Sequence, residues 1–419
     1  MRKLFVLWVL TSLILLQGEA LAAPAAAIPP AVKAVSSQPV LQWTGFPDAV
    51  MYELDIAKTA DFVDAQIIFH STTIYSAGFQ PDLSAWLGKN LFYRVRPLDY
   101  DKRPLSEWTA PVAIAVKTPH SFQTFRPVTT TQWSKVTPIL YPVYAWIPVL
   151  GADHYKVELF QETGTGSSSE RKSKLVQTWE VKGSLTADVY DETPRIGTFS
   201  WRVQAIAKNG QPIGQFSDRE EFALRPVSRQ FALGIYGDSI MHGGGAISNA
   251  PSDFTYSLHA YLKTPALNLA RSGDTSAASL ERFERDVIPF SPRMLIIMTG
   301  TNSLRGGVKA DEVASELAQI AKKCRQNKIV PVFLTLPPIN PDRIKQVFRE
   351  NSDPGWQGAM QKVNRYILEN LPHLDVAPLF VDNRGMIPPY WATDGLHLDA
   401  KAKKAIGKLI NQSDLTVFK

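Results

Sequence analysis

The stretch FALGIYGDSIMHGGG, residues 231–245, joins an apolar run to a Gly-Asp-Ser triplet and then to three consecutive glycines. The run FALGIY is short and apolar on both faces, which is typical of a buried parallel strand. The triplet follows directly where this strand should end. Turns favour glycine, aspartate and serine, so the triplet alone leaves two interpretations open for Ser239, a nucleophile or a turn residue.

The alternation of apolar runs with helical segments continues to the C-terminus. Further apolar runs lie at 265–270, 293–300, 329–336 and 374–380. Segments with helical spacing lie at 253–263, 275–288, 309–328, 356–369 and 399–411. Buried strands that alternate with amphipathic helices predict an α/β domain over residues 230–415, with a parallel sheet between two layers of helices in a flavodoxin-like, three-layer arrangement.

Polar residues and a glycine follow the strands of this predicted sheet. Ser239 follows the first strand, Gly273 follows the second in ARSGDTS, and Asn302 follows the third in GTNS. Asp394 and His397 come just before the last helix. Ligands of parallel sheets bind at the carboxyl ends of the strands. We therefore expect these five residues to lie at one edge of the sheet.

Four sequence blocks, which contain Ser239, Gly273, Asn302 and the pair Asp394 and His397, resemble those of the SGNH hydrolase superfamily, the GDSL-type esterases. The resemblance implies that Ser239 is the nucleophile and that Asp394 and His397 complete a catalytic triad. It also implies that Gly273 and Asn302 are donors of the oxyanion hole, together with the main chain of Ser239. The expected enzyme is a serine hydrolase acting on carboxylic ester bonds.

The resemblance covers about residues 230–413 and is not complete. The third block has Ser303 where many members have aspartate, and the first block reads GDSIM, without the leucine of the older motif name. Neither departure falls on a residue with a predicted catalytic role.

The chemistry of these residue types agrees with the resemblance. A serine hydroxyl is a weak nucleophile at neutral pH and needs an adjacent base, which His397 can supply. An aspartate such as Asp394 would hold the imidazole tautomer and stabilise the imidazolium. Each residue alone has a structural interpretation: a helix cap, a polar core residue or a turn former. Their joint placement favours catalysis.

The segment His242–Gly245 matches the HGGG motif of lipases, but that motif precedes the nucleophile whereas here it follows Ser239. The second glycine of the G-x-S-x-G elbow is also missing. We expect the three glycines to let the backbone approach the substrate near the entrance, with His242 as a candidate contact. No cofactor is implied, and no histidine pair has the His-x-x-x-His spacing of a helical metal site.

The region 28–226 is dominated by short alternating runs that predict antiparallel strands, and it repeats itself. Trp43 and Tyr52 recur as Trp146 and Tyr155, both at an offset of 103. The aromatic-Arg-Val strand at 92–95 likewise recurs at 200–203. These features resemble the fibronectin type III pattern, which implies two β-sandwiches at residues 28–118 and 128–226. We expect both tryptophans to be core residues rather than sugar-stacking platforms, and 117–132 to be a linker.

The N-terminal residues 1–22 combine Arg2 and Lys3, a short uncharged apolar run and Ala20-Leu21-Ala22, which predicts a secretory signal peptide rather than a membrane span. We therefore expect a periplasmic or secreted bacterial protein. The net charge of +6 is spread along the chain, which argues against nucleic-acid binding. The single cysteine, Cys324, cannot form an intramolecular disulfide and is expected to be packed rather than reactive.

The predicted function is that of an exported serine esterase that removes acyl groups, O-acetyl groups above all, from a carbohydrate through an acyl-enzyme. A lysophospholipase or thioesterase acting on lipid acyl chains is the first alternative. A catalytically silent glycan-binding protein is the second. The sequence leaves open the acyl chain length, the alcohol, glycan binding by the sandwiches and the oligomeric state.

Overall fold

The computed structural model describes residues 39–46, 48–116, 125–130, 138–164, 172–183, 187–248 and 253–414. The predicted signal peptide and most of the predicted linker at 117–132 lie outside the described residues. Within the described ranges, no helix is both long enough and apolar enough to cross a membrane.

The first part of the chain forms antiparallel sheets. Its strands are β1 (Leu41–Gln42), β2 (Met51–Ala57), β3 (Ile67–Ile74), β4 (Gly78–Phe79), β5 (Asn90–Leu98) and β6 (Val112–Ala115). One sheet has the order β3-β2-β5-β6 and a second pairs β1 with β4. Side chains of both sheets, such as Leu41, Phe79 and Leu54, share one hydrophobic cluster. Short 3-10 helices lie at Asp64–Gln66 and Ser84–Trp86.

The second part repeats this organisation. Its strands are β7 (Val143–Ala145), β8 (His154–Thr163), β9 (Lys172–Lys182), β10 (Asp188–Tyr190), β11 (Gly197–Ile206), β12 (Pro212–Ile213) and β13 (Glu220–Leu224). The larger sheet has the order β12-β11-β8-β9, with β13 also paired to β11, and β7 pairs with β10 in a smaller one.

The tryptophans of the sequence repeat occupy equivalent positions in these two parts. The ring of Trp43 lies 5.3 Å from that of Tyr52, and the ring of Trp146 lies 5.1 Å from that of Tyr155. Both tryptophans are buried in the hydrophobic cluster of their own part. The expectation that they are core residues is confirmed.

The C-terminal part is an α/β domain built on a fully parallel sheet. The strands β14 (Leu233–Gly237), β15 (Ala266–Asn268), β16 (Met294–Met298), β17 (Val330–Leu334) and β18 (His373–Leu374) have the order β15-β14-β16-β17-β18. Each pair of neighbours is parallel. In chain order this is 2-1-3-4-5, the order of flavodoxin-like sheets.

Helices connect these strands. They are α1 (Ser239–His242), α2 (Ser276–Asp286), α3 (Thr301–Arg305), α4 (Ala310–Gln326), α5 (Pro341–Phe348), α6 (Trp356–Asn370) and α7 (Ala400–Gln412). Helix α4 packs against α2 and α6, whereas α7 packs against 3-10 helices at Phe254–Tyr256 and Leu258–Tyr261. Cys324 is fully buried in α4, and burial raises the pKa of its thiol to about 12, as expected for a packed cysteine.

Two segments differ from the prediction. The segment 253–263 was expected to be one helix but forms two 3-10 turns, because Ser257 between them has an extended backbone. The apolar run 374–380 contributes only its first residue to β18 and then forms a 3-10 helix at Ala377–Phe380. The hydroxyl of Thr335 accepts the main-chain N–H groups of Val376 and Ala377 there, so these groups are not available to a longer strand.

The second part of the chain is joined directly to the edge of the parallel sheet. The Leu140 N–H donates to the Asn268 carbonyl at 2.9 Å, and the Asn268 N–H donates to the Pro138 carbonyl at 3.1 Å. The next residue, Tyr141, is fully buried and its hydroxyl donates to the Asp286 carboxylate at 2.5 Å. A segment from outside the α/β domain therefore covers the otherwise open edge of β15.

Candidate active site

Ser239 follows the carboxyl end of β14, an inner strand of the sheet next to the edge strand β15, and opens helix α1. Gly237, two residues before Ser239, has φ +143°, and a Cβ there would lie 1.8 Å from the Met298 carbonyl oxygen, so only glycine fits. Asp238 caps α1 by accepting the Ile240 N–H at 3.0 Å. These local requirements account for the Gly-Asp pair and fix the Ser239 side chain at the edge of the sheet.

Ser239, His397 and Asp394 form a continuous chain of hydrogen bonds. The Ser239 Oγ lies 2.8 Å from His397 Nε2, and His397 Nδ1 lies 2.7 Å from Asp394 Oδ2. The other carboxylate oxygen of Asp394 accepts the main-chain N–H groups of Leu396 and His397. All three predicted triad residues are buried, so this chain is shielded from bulk water.

The three glycines after α1 make room for the histidine loop. Gly243 ends α1 with φ +127°. A Cβ on Gly244 would lie 2.7 Å from the His397 ring, and one on Gly245 would lie 2.5 Å from the Tyr256 ring. All three glycines are buried. None of the three is among the described residues that line the pocket at Ser239, so their approach to the substrate stays a prediction. The small size of Gly244 allows the His397 ring to pack beside the main chain.

His242 was a candidate substrate contact, and the structure places it elsewhere. Its side chain is fully buried and its two ring nitrogens bond to Ser272 and to the Tyr141 carbonyl. It is not among the described residues that line the pocket at Ser239.

Gly273 and Asn302 lie at the same pocket as Ser239. The Asn302 amide has a defined orientation, because its Oδ1 accepts from Arg305 Nε at 3.1 Å and its Nδ2 donates to the Asp274 carbonyl at 2.9 Å. One amide hydrogen of Nδ2 remains for a further acceptor. Gly273 has φ +87°, and the space at its Cβ position is open.

The departure at Ser303 has a structural role. Its hydroxyl accepts the N–H of Ser276 at 3.0 Å and lies 2.8 Å from the Ser276 hydroxyl. Ser303 thus binds the first residue of α2, and both hydroxyls are buried.

A buried ion pair that no sequence pattern predicted supports the loop after β15. The Arg282 guanidinium donates to Asp274 at 2.5 Å, to the Leu269 carbonyl at 2.7 Å and to the Gly237 carbonyl at 3.0 Å. Arg282 therefore joins the end of β14 to the loop that carries Gly273. Its position in an amphipathic helix gave no signal of this role, since arginine is usually exposed there.

A buried lysine, Lys403 in α7, was also missed. Its Nζ donates to the Ile240 carbonyl in α1. Burial lowers the pKa of Lys403 to about 7, although Asp238, Asp399 and Asp394 act in the opposite direction. Burial also raises the pKa of Asp238 and of Asp399 to about 7. Helix α1, which carries Ser239, thus packs against a buried group of ionisable side chains.

The low pKa of Lys403 predicts a pH-dependent stability. Between pH 7 and 10.5 the unfolded chain holds a proton on Lys403 that the folded protein lacks, so stability rises with pH in this window. We expect the free energy of unfolding of the wild type, relative to Lys403→Met, to rise by up to about 5 kcal/mol from pH 7 to 10.5, at about 1.4 kcal/mol per pKa unit.

This difference is measured by denaturant unfolding at several pH values. Lys404→Met, on the exposed side of the same helix, removes a lysine without altering the buried group and serves as the control. A wild-type advantage that stays flat or shrinks with rising pH would contradict the prediction.

The pocket at Ser239 has a volume of about 270 Å³ and is walled by two parts of the chain. Tyr190 and Glu192 come from the second β-rich part, and Glu192 pairs with Arg271 at 3.4 Å. The remaining lining residues come from the α/β domain: Ser239, Ser272, Gly273, Asn302, Arg305, Phe348, Glu350, Leu396 and His397. No sequence pattern indicated Tyr190 or Glu192, because they lie far along the chain from the predicted site residues. Among the described residues, no group of three or more His, Cys, Asp or Glu side chains has a metal-binding arrangement.

A parallel α/β sheet in which an inner strand leads to a serine bonded to a histidine, which in turn bonds to an aspartate, is the architecture of a serine hydrolase. Residues 235–405 match the model of the GDSL-like Lipase/Acylhydrolase family. This part of the chain is a GDSL-like acylhydrolase domain, and the protein is a serine hydrolase of carboxylic ester bonds.

Solved structures similar to this chain include an acylhydrolase from Bacteroides fragilis, at 21% identity and a TM-score of 0.37, covering 47% of this chain and 92% of that one. A GDSL-like lipase from Bacteroides thetaiotaomicron has 24% identity and a TM-score of 0.37, with coverage of 45% and 90%. An acetyl xylan esterase has 16% identity and a TM-score of 0.32, with coverage of 42% and 97%. The comparison with curated proteins finds no match.

Proposed function

We propose that the protein is an exported serine esterase that removes short acyl groups, acetyl above all, from a carbohydrate. The observation that carries this proposal is the hydrogen-bonded chain from Ser239 through His397 to Asp394, which opens into a pocket shared with Gly273 and Asn302. The export part rests on residues 1–22, whose sequence is typical of a signal peptide.

The proposed mechanism begins with attack of the Ser239 Oγ on the ester carbonyl carbon while His397 Nε2 takes the hydroxyl proton. The tetrahedral oxyanion accepts hydrogen bonds from the main-chain N–H groups of Ser239 and Gly273 and from Asn302 Nδ2. Collapse expels the alcohol, which receives the proton from His397, and leaves an acyl group on Ser239. Water, activated by His397, then attacks the acyl-enzyme and releases the acid and the free serine.

The pocket favours a short acyl group. Its volume of about 270 Å³ lies below the roughly 300 to 1,000 Å³ of most small-molecule sites. A long acyl chain gains its affinity from apolar contact, at about 0.8 kcal/mol per buried CH₂ group. The lining offers Phe348 and Leu396 as apolar side chains, but it also includes the Arg305–Glu350 ion pair, 2.9 Å long.

The same lining favours a polyhydroxylated alcohol. Glu192 and Glu350 provide carboxylate oxygens that can accept hydrogen bonds from sugar hydroxyls, and Tyr190 provides a ring against which a sugar can pack. A carbohydrate ester therefore matches the wall better than a lipid ester does. A lysophospholipase or thioesterase remains the alternative function.

We also propose that residues 28–118 and 128–226 are fibronectin type III-like sandwiches, followed by the catalytic domain at 230–415. Equivalent ion pairs support the repeat: Arg94 donates to Asp55 on the neighbouring strand at 2.9 Å, and Arg202 donates to Glu158 at 2.8 Å. The second sandwich has a further role in this proposal, since Tyr190 and Glu192 form part of the substrate pocket.

The proposal is tested with p-nitrophenyl esters from acetate to palmitate. We expect kcat/KM to be highest for acetate or butyrate and to fall by about 100-fold or more for chains of eight carbons and longer. A pocket of this size has no room for the added CH₂ groups, so a longer chain disturbs the placement of the ester. Acetate release from acetylated xylan, compared with fatty-acid release from lysophosphatidylcholine, identifies the class of alcohol.

The outcomes separate the candidate functions. A rate that increases towards palmitate, with hydrolysis of the lysophospholipid, would favour the lipid enzyme. A folded protein that hydrolyses none of these esters but binds xylan would favour the silent binding protein.

A further inference from the structure

His242 connects the predicted oxyanion loop to the second β-rich part of the chain. It lies one helical turn after Ser239, at the end of α1, and is fully buried. Its Nδ1 lies 2.8 Å from Ser272 Oγ, and its Nε2 lies 2.8 Å from the Tyr141 carbonyl oxygen. The imidazole thus lies between a residue next to Gly273 and a residue outside the α/β domain.

The chemistry of Ser272 and the Tyr141 carbonyl determines which nitrogen of His242 carries the proton. A carbonyl oxygen only accepts, so His242 Nε2 carries a hydrogen and donates it to Tyr141. Burial lowers the pKa of His242 to about 3, so the ring is neutral at physiological pH and Nδ1 is an acceptor. The Ser272 hydroxyl therefore donates to Nδ1, which gives Ser272 one defined rotamer.

Gly273 depends on its neighbours for its position. With φ +87° and open space at its Cβ, it has no side chain that could anchor it. On its C-terminal side, Asp274 is held by Arg282 at 2.5 Å. On its N-terminal side, the Ser272 hydroxyl is held by His242. Buried side chains therefore hold the residues on both sides of Gly273, and the position of the Gly273 N–H depends on them.

The outer end of the bridge is rigid. Tyr141 is fully buried, its hydroxyl bonds to Asp286, and the preceding Leu140 pairs with Asn268 at the sheet edge. The Asn268 side chain in turn donates to the His242 carbonyl at 2.8 Å. The Tyr141 carbonyl, which accepts the hydrogen bond from His242 Nε2, is thus held in place by contacts between the second β-rich part and the α/β domain.

We propose that His242 is a positioning residue through which the second β-rich module holds the Ser272–Gly273 main chain in the geometry of the oxyanion hole. This inference rests on the proposed function. His242 does not contact the substrate; it acts through Ser272 on the Gly273 N–H and ties that donor to the Tyr141 carbonyl.

Two substitutions of His242 each keep one of its two hydrogen bonds and remove the other. The amide of His242→Asn reaches the place of Nδ1 and can still accept from Ser272, but it leaves the Tyr141 carbonyl unpaired. The amide of His242→Gln reaches the place of Nε2 and can still donate to Tyr141, but it releases Ser272. We expect each variant to lose about ten-fold or more in kcat, with KM changed less than about three-fold, because misplacement of a donor weakens transition-state binding more than substrate binding.

Ser272→Ala removes the same hydrogen bond as His242→Gln. The double variant should therefore be no slower than the slower single variant, since both changes break one interaction. A phenylboronic acid, which forms a tetrahedral anion on an active serine, should bind more weakly to these variants in proportion to their loss of kcat/KM. A role in folding alone would not produce this proportionality.

His259 provides a matched control within the same domain. It is also buried and its Nδ1 lies 2.8 Å from a serine hydroxyl, that of Ser257, and burial lowers its pKa to about 4. It lies in the 3-10 helix Leu258–Tyr261 and does not line the pocket described above. We expect His259→Asn and His259→Gln to change thermal stability but not the kcat of the folded fraction, counted by titration with a fluorophosphonate.

The results separate the two proposals. If the wild type hydrolyses no ester and binds no fluorophosphonate, the proposed function fails. If the wild type is active and the His242 variants keep their kcat and boronate affinity per titrated site, the positioning role is overturned while the esterase function stands.

Discussion

Ser239→Ala abolishes ester hydrolysis, with an expected fall in kcat of about 10⁴-fold or more. The hydroxyl that lies 2.8 Å from His397 Nε2 is the only group of this residue that can form an acyl-enzyme, and alanine removes it without adding bulk. Loss of a nucleophile leaves only the rate that binding and the oxyanion hole supply. The measurement is hydrolysis of p-nitrophenyl acetate, together with mass spectrometry for a covalent fluorophosphonate adduct.

Ser257→Ala is the matched control for this substitution. Ser257 is also a buried serine whose hydroxyl lies 2.8 Å from a histidine, but its partner is His259 and the pair lies away from the pocket. We expect this variant to hydrolyse the ester at the wild-type rate and to form the adduct. Ester hydrolysis that survives in Ser239→Ala at more than a hundredth of the wild-type rate would exclude Ser239 as the nucleophile.

Asp394→Asn should lower kcat by about 10⁴-fold while the loop stays folded. Asp394 Oδ1 accepts two main-chain N–H groups, from Leu396 and His397, so an asparagine should keep its oxygen there and direct its NH₂ group towards His397 Nδ1. Nδ1 would then have to accept, the proton would lie on Nε2, and the ring could no longer take the proton of Ser239. The tautomer would be wrong although the heavy atoms barely move.

The comparison with Asp394→Ala isolates this effect. Alanine also removes the acceptor of the two main-chain N–H groups, so it should lower thermal stability in addition to activity, whereas Asp394→Asn should unfold close to the wild-type temperature. The measurements are kcat for p-nitrophenyl acetate and thermal unfolding of both variants. A stable Asp394→Asn enzyme within ten-fold of the wild-type kcat would contradict an orienting role for this carboxylate.

The sequence allowed the predicted site residues to be chosen because parallel strands present their carboxyl ends at one edge. Ser239, Gly273 and Asn302 lie within about five residues of the ends of β14, β15 and β16, so their positions could be read from local patterns. Asp394 and His397 needed the resemblance as well, since they lie about 20 residues beyond the end of β18. Their catalytic roles remain predictions, which the substitutions above test.

The supporting residues could not be found in the same way. Arg282 and Lys403 lie in amphipathic helices, where a charged residue is expected to be solvated, and only the packed structure buries them against α1 and β14. The glycines at 243–245 were visible in the sequence, but the His397 ring beside Gly244 and the Leu398 carbonyl beside Gly245 lie about 150 residues further along the chain. Long-range contacts of this kind leave no local pattern.

The segment Pro138–Leu140 along β15 changes what counts as the smallest independent enzyme. The change of sequence pattern suggests a domain border at residue 230. A protein that begins there would lack the segment that pairs with β15, so this edge strand would be exposed. The His242 imidazole would lack its Tyr141 partner, and the pocket would be open on the side of Tyr190. The transferable unit instead begins before residue 138. Shuffling of such modules during evolution would have to move the second β-rich part and the hydrolase domain together.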